Sequence, residues 1–154
     1  MNDSFDTKVE AAIIELLKLL EVQHEGVEKK EVAGQLVFTI KTKETRKLIG
    51  LNGETLTAFD YIVKKMIEKK SETHPHFIVD VDNYRVDHIV EIQQKATIMA
   101  ERAKSFQYDV EMPPMSAYER LIVHATLQGV PQIKTESQGV GKDRKLVIKY
   151  IGEI

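Results

Sequence analysis

The sequence contains no cysteine, which excludes a disulfide, a thiolate metal site and a cysteine nucleophile. No apolar run approaches the roughly 18 residues that indicate a membrane span. Residues 1–7 are polar and acidic, unlike the start of a signal peptide. These absences predict a cytoplasmic protein that does not insert into a membrane.

Catalytic and cofactor motifs are missing as well. The sequence holds no nucleophile elbow, no phosphate-binding P-loop and no H-E-x-x-H metal motif. His74 and His76 flank Pro75, but no third ligand lies near them in sequence, so a polar turn is favoured over a metal site. We therefore expect neither enzymatic activity nor a bound metal or cofactor.

Neither sign of charge dominates the chain. Its 22 lysine and arginine residues are nearly balanced by 24 acidic residues, which gives a net charge of −2. Proteins that coat nucleic acid without specificity are usually strongly basic. Any binding of nucleic acid by this chain must therefore depend on local basic clusters.

The spacing of apolar residues predicts a mixed α+β chain. The predicted elements are a helix over 9–20 ended by Gly26, strands over 27–32 and 36–42 around a turn at 33–35, a helical turn over 45–49, a helix from 54, a strand over 77–82, a helix from 84, a short strand over 108–112, a helix from 117 and strands over 132–137 and 144–151. A boundary near residue 82 divides these elements into two small domains, 1–82 and 83–154.

Residue types add local detail to these elements. Asn83 is predicted to cap the helix that follows it, and Ser116 with Glu119 has the spacing of a capping box. The predicted buried face of the helix from 54 comprises Leu56, Phe59, Ile62, Val63, Met66 and Ile67. That of the helix from 117 comprises Tyr118, Leu121, Ile122 and Ala125.

Two glycines, Gly50 and Gly53, are separated by Leu51 and Asn52 between two predicted helices. Glycine lets the backbone approach a ligand closely, and the free N–H groups at the start of a helix favour an anion. Arg46 and Lys47 lie just upstream, and apolar Ile49 and Leu56 are placed to line a groove for bases. The tetrapeptide alone is also compatible with a plain turn between helices.

The order of elements around these glycines resembles the type II K-homology (KH) fold, αββααβ, in which such a loop clamps the sugar–phosphate backbone. The segment from Leu48 to Leu56 is similar to the loop of that family. The inner positions are often basic in KH domains, whereas Leu51 and Asn52 are neutral here. Arg46 and Lys47 can partly replace the missing charge, or they are a solvated helix end.

A second group of residues centres on Arg120 and His124, which lie four residues apart and so share one helix face. We expect that face to lie beside the apolar stripe. Arginine offers a planar fork for phosphate, and histidine offers a ring that stacks or forms hydrogen bonds. Taken singly, each residue is also compatible with an ordinary surface position.

The segments on either side of this helix resemble the R-three-H domain, which binds single-stranded nucleic acid and is named for an Arg-x-x-x-His pair. The most specific stretch begins at Ser137, continues through Gly139 and Gly141, and ends at Arg144. The resemblance implies that Ser137 and Arg144 lie beside Arg120 and His124.

A KH domain directly followed by an R-three-H domain resembles the Jag (SpoIIIJ-associated) family of bacterial RNA-binding proteins. The resemblance covers residues from about 9 to 151. It implies a cytoplasmic regulator that binds single-stranded RNA and pairs with a small protein carrying a single KH domain. The residues themselves do not separate RNA from single-stranded DNA. An alternative is an adaptor that keeps both folds but recognises protein, which the neutral Leu51–Asn52 loop favours.

Overall fold

The computed structural model describes residues 3–69 and 76–152, and the chain divides into two compact units, Met1–Val86 and Asp87–Ile154. Each unit contains both helices and strands, which confirms the predicted α+β class. The division falls inside one long helix. The limits 1–82 and 83–154 of the two domains stay a prediction, and His74 and Pro75 lie outside the described residues.

The first unit has the predicted order of helix, strand, strand, helix, helix and strand. Its elements are α1 (Asp3–Leu19), β1 (Gly26–Val32), β2 (Gln35–Lys41), α2 (Thr45–Ile49), a 3₁₀ turn (Leu51–Gly53), α3 (Glu54–Glu68) and β3 (Phe77–Val81). Strand β2 is central, antiparallel to β1 and parallel to β3. Apolar residues of α1, α3, β2 and β3 form the core of this unit, so α1 and α3 bury their apolar faces against the strands.

Backbone conformation corrects two predicted boundaries. Helix α1 ends at Leu19, and Gly26 is the first residue of β1 and does not end the helix. The hairpin turn consists of Ala33 and Gly34, both at positive φ (52° and 74°), because Gln35 already pairs with Val32. Two such residues form the two-residue turn whose twist matches that of the paired strands.

The predicted buried face of α3 is correct for Leu56, Phe59, Val63 and Ile67, and Met66 is partly buried. Ile62 is 44% exposed, so its assignment was wrong. Asp60 is buried on this helix instead, since its carboxylate accepts hydrogen bonds from the Val79 N–H (2.8 Å) and the Lys64 ammonium (2.7 Å). A polar group is tolerated in the core when partners of this kind satisfy it.

The long helix α4 (Tyr84–Phe106) starts immediately after the turn that follows β3. The prediction that Asn83 caps this helix is wrong. Asn83 adopts φ 65°, and its side chain accepts a hydrogen bond from Lys30. The buried Asp80 carboxylate instead accepts hydrogen bonds from the N–H groups of Arg85 (2.8 Å) and Val86 (3.0 Å). A carboxylate near the first turn of a helix satisfies its free N–H groups and complements its dipole.

The second unit continues α4 with β4 (Val110–Glu111), α5 (Ala117–Leu127), β5 (Ile133–Gln138), a 3₁₀ turn (Gly141–Asp143) and β6 (Lys145–Tyr150). Strand β6 is central, and both neighbours run antiparallel to it in the order β4-β6-β5. The predicted strand over 108–112 is therefore reduced to two residues. In the ranges 3–69 and 76–152, no helix combines the length and the apolar character needed to cross a membrane.

Helix α5 begins with the predicted capping box: Glu119 N–H donates to Ser116 Oγ (3.2 Å), and Ser116 N–H donates to Glu119 Oε2 (2.7 Å). Partial burial alone would raise the pKa of the Glu119 carboxyl. Hydrogen bonds from the Ser116 N–H and the His88 ring overcome this effect and hold that pKa below its ordinary value. The start of α5 is thus fixed by paired contacts.

The predicted buried face of α5 is mostly wrong. Ile122 is buried as expected, but Tyr118 is 39% exposed, Leu121 is 59% exposed and Ala125 is exposed. The residues that pack inward are Ile122, Val123 and Leu127. The helix is therefore rotated relative to the predicted face.

Candidate nucleic-acid interface

The loop between α2 and α3 requires glycine at both ends. Gly50 adopts φ 70° and ψ −169°, and Gly53 adopts φ 78° and ψ 12°. A Cβ atom on Gly50 would lie 2.1 Å from Thr55 Oγ1, and one on Gly53 would lie 3.1 Å from Tyr84 Cε1. The loop keeps its shape because no side chain occupies these two positions.

Replacing Gly50 with alanine is expected to destabilise the first unit by roughly 2 kcal/mol or more, since left-handed strain and a collision with Thr55 act together. Gly34→Ala is the matched control. Gly34 has a similar φ of 74°, but a Cβ there meets nothing within 4 Å, so about 1 kcal/mol is expected. Urea denaturation followed by circular dichroism compares the two variants. Equal losses would show that the contact with Thr55 is unimportant.

The tip of the loop presents two adjacent backbone donors. The N–H groups of Leu51 and Asn52 have no acceptor in the part of the chain that the structure describes. Leu51 is 76% exposed, and Asn52 is exposed at φ 52°. The N–H of Gly50 donates to Arg46 O (3.0 Å) and is therefore not open to a ligand. Adjacent N–H groups of this kind make a site for one anionic oxygen or two.

Two basic residues stand on the helix before the loop. The exposed Arg46 side chain has no partner among residues 3–69 and 76–152, whereas Lys47 Nζ lies 3.6 Å from Glu44 Oε1. Arg46 is therefore the freer cation of the two. The exposed Glu54, in the first turn of α3, opposes an anion at the loop.

The two apolar residues that were predicted to line a groove for bases differ in their exposure to solvent. Ile49 is partly buried and packs against the core, so part of its side chain remains accessible beside the loop. Leu56 is completely buried, and its assignment to the groove is wrong. It supports the loop from within the core because it anchors the first turn of α3.

Of the second group of predicted residues, His124 on α5 and Ser137 on β5 are in direct contact. His124 Nδ1 lies 2.6 Å from Thr135 Oγ1, and its Nε2 lies 3.3 Å from Ser137 Oγ. Arg120 donates from Nη1 to Met115 O (2.8 Å). Both side chains are half-buried and lie at the edge of the buried face of α5 that carries Val123 and Leu127, so they are beside the apolar stripe, as predicted.

Thr135 was missed in the sequence although it makes the shorter of the two contacts with His124. Thr135 and Ser137 alternate on β5, and residues two apart on a strand face the same side. Once Ser137 was assigned to the site, this periodicity was a signal that Thr135 lies next to it.

Arg144 is placed differently from Ser137. Its guanidinium donates to Gly139 O (3.4 Å), and its own carbonyl accepts from the Met115 N–H (3.2 Å). Met115 therefore bonds to both Arg120 and Arg144 through its backbone. Among the described residues, the side chain of Arg144 forms no hydrogen bond with Arg120 or His124.

Comparison with known proteins identifies the class of the second unit. Residues 90–150 match the R-three-H domain family, so this unit contains an R-three-H domain, as its Arg-x-x-x-His pair predicts. The chain is 31% identical over 115 residues to RNA-binding protein KhpB of Bacillus subtilis (strain 168), and the match covers 73% of this chain and 55% of that protein. It is 30% identical over 123 residues to RNA-binding protein KhpB of Clostridium symbiosum, covering 80% and 55%.

The chain is therefore a homologue of the KhpB proteins, that is, of the Jag family that its two motifs resemble. A further protein of the same name, from Lactiplantibacillus plantarum, is 27% identical over 101 residues, or 66% of this chain and 31% of that protein. The chain spans about half the length of the first two curated relatives. The predicted recognition of the family is confirmed.

Proposed function

We propose that this chain binds single-stranded nucleic acid, and RNA in particular, as a bacterial regulator. The pair of N–H groups at Leu51 and Asn52, open at the tip of a glycine-bounded loop, is the observation that carries the proposal. Homology to proteins named for RNA binding, together with the R-three-H domain, supports it and favours RNA over DNA. The proposed roles require no catalytic group, metal or cofactor.

The first binding surface belongs to a proposed type II KH-like domain over residues 1–82. Its αββααβ order and its loop geometry support that assignment. Leu51 and Asn52 donate their N–H groups to a phosphate, Arg46 and Lys47 add positive charge, and Ile49 borders the base. Gly50 and Gly53 act through backbone shape, because both have positive φ, and a side chain would collide with Thr55 at Gly50 and make a tight contact with Tyr84 at Gly53.

The second binding surface belongs to the proposed R-three-H domain over residues 83–154. Arg120 holds a phosphate there, and His124 stacks on a base. Ser137 and Thr135 fix the histidine ring by contacting its two nitrogens. Arg144, which directly follows the 3₁₀ turn between β5 and β6, supplies a further exposed cation. The family resemblance adds a cytoplasmic location and a small partner with one KH domain.

A salt titration with matched oligonucleotides tests the function. We expect a single-stranded RNA to bind more tightly than a duplex of the same length, since a chain of net charge −2 lacks general attraction for duplex phosphates. The logarithm of affinity should fall with the logarithm of salt by about 0.7 for each phosphate contact on a single strand. Fluorescence anisotropy measures both, and single-stranded DNA of the same sequence shows whether RNA is preferred. Tighter binding to the duplex would contradict the proposal.

A protein-binding adaptor is the second candidate, and the 76% exposure of apolar Leu51 at the loop tip favours it. An apolar interface with protein is nearly insensitive to salt, whereas phosphate contacts weaken steeply. No measurable affinity for any single strand at low salt would favour the adaptor.

A further inference from the structure

Tyr84, the first residue of α4, borders the glycine loop. A Cβ atom on Gly53 would lie 3.1 Å from its Cε1 and 3.4 Å from its hydroxyl oxygen, so one side of the ring rests against the Gly53 backbone. Tyr84 nevertheless remains 43% exposed. An aromatic ring that is open to solvent therefore stands directly beside the proposed phosphate site.

The turn before Tyr84 is fixed from several directions. Asp82 and Asn83 both adopt positive φ, 46° and 65°. Asp82 Oδ2 accepts a hydrogen bond from Thr45 Oγ1 (2.7 Å) at the start of α2, and the Asp80 carboxylate holds the N–H groups of the first turn of α4. These contacts set the position of the ring before any ligand arrives.

The next residue, Arg85, ties the start of α4 to the helix that follows the loop. Its Nη1 lies 3.5 Å from Asp60 Oδ1, and its Nη2 lies 3.5 Å from Thr57 Oγ1. Thr57 in turn donates to Gly53 O (3.0 Å). Tyr84 therefore contacts Gly53 at one end of the segment 53–57, and Arg85 contacts Thr57 at its other end. These contacts fix the position of the Tyr84 ring relative to the loop.

We infer that Tyr84 is a base-stacking residue of this site, an inference that rests on the proposed function. An unpaired base of the strand whose phosphate binds at Leu51 and Asn52 stacks on the exposed part of the ring. Stacking on an aromatic side chain tolerates any base, because every base has a π-face. The subsite therefore adds affinity for single strands without selecting sequence, and a duplex gains nothing from it since its bases are already stacked.

Three variants separate stacking from packing. Tyr84→Leu keeps an apolar side chain against Gly53 but removes the ring, and it is expected to weaken binding of single-stranded RNA about tenfold. Tyr84→Phe keeps the ring and should bind like the parent. Tyr61→Leu is the control. Tyr61 is an exposed tyrosine (61%) on α3, about two helical turns from the glycine loop, and its replacement should leave binding like that of the parent. Melting temperatures establish that each variant is folded.

An abasic strand of the same length provides a second readout. The parent and Tyr84→Leu should bind it equally, because it offers phosphates but no bases. A parent that binds no single strand would overturn the proposed function and this inference together. A parent that binds, with a folded Tyr84→Leu that binds equally well, would overturn the inference alone.

The chain contains no tryptophan, so Tyr84→Trp introduces a single fluorescent reporter and keeps the inference testable even where Tyr84→Leu folds poorly. We expect its emission to be quenched by single-stranded RNA and not by the abasic strand. Tyr61→Trp should report no quenching under the same conditions. Equal responses of the two reporters, or none from Tyr84→Trp while anisotropy shows binding, would overturn the inference.

Discussion

Replacing both Leu51 and Asn52 with aspartate is expected to weaken the binding of single-stranded RNA by at least about tenfold without unfolding the chain. Two unit charges 4 Å apart repel by about 1 kcal/mol in water and by more near a protein surface, and tenfold corresponds to about 1.4 kcal/mol. Both side chains are exposed, and the left-handed conformation at Asn52 (φ 52°) is one that aspartate tolerates.

The matched control is Leu51→Asn, which leaves two asparagines at the loop tip. It has nearly the same shape as the double aspartate variant and differs from it in charge alone. Filter binding and circular dichroism on the same samples measure affinity and folding. We expect the control to bind within about threefold of the parent, since its two backbone N–H donors are unchanged. Identical affinities for the double aspartate variant and the control would remove the loop from the site.

Local patterns were sufficient to predict the order of elements and the loop. The hairpin, the glycine pair and the capping box at Ser116 each depend on residues that are close in sequence, and each is present in the structure. The family motifs could be recognised for the same reason, because each consists of residues at fixed spacings along one helix or turn. The contacts of the His124 ring on β5 depend instead on how two elements pack.

The buried face of α5 shows why periodicity was insufficient there. Apolar residues occupy nearly every side of this 11-residue helix, so two faces satisfy the helical spacing equally well. Packing against the sheet selects the face of Ile122, Val123 and Leu127. That choice leaves Arg120 and His124 half-buried and brings His124 against Thr135 and Ser137 of β5, contacts that no pattern within α5 indicates.

The cap of α4 illustrates a different limit. Asn83 has the side chain and the position of a cap, but its backbone adopts φ 65° and its side chain turns to Lys30. Asp80, still within β3, reaches the first turn of α4 because the chain reverses at Asp82 and Asn83. The contact of Tyr84 with Gly53 follows from the same reversal. Backbone turns of this kind depend on tertiary contacts that the sequence does not display.

Asp80 is expected to be the most important single polar side chain for the stability of the first unit. It is completely buried, and its carboxylate accepts hydrogen bonds from the N–H groups of Val81 (2.7 Å), Arg85 (2.8 Å) and Val86 (3.0 Å). Asp80→Ala leaves three donors without their acceptor. The bond from Val81 is buried, and those from Arg85 and Val86 are part-buried. A buried donor left unsatisfied costs about 1–3 kcal/mol and a part-buried one less, so we expect a loss of roughly 3 kcal/mol.

The matched control for this variant is Asp109→Ala. Asp109 is exposed and accepts from the Tyr150 N–H (3.0 Å), so its removal should cost about 1 kcal/mol or less, because water replaces the lost acceptor. Denaturation midpoints compare the two variants, and hydrogen exchange locates the effect: the amides of Arg85 and Val86 should lose protection in Asp80→Ala. Equal midpoints with unchanged protection would show that water or a neighbouring group replaces the carboxylate.

The loss of the Asp80 carboxylate should also affect RNA binding, since the turn that Asp80 holds positions Tyr84 beside the loop. Asp80→Ala should therefore weaken binding of single-stranded RNA even at temperatures where the chain remains folded.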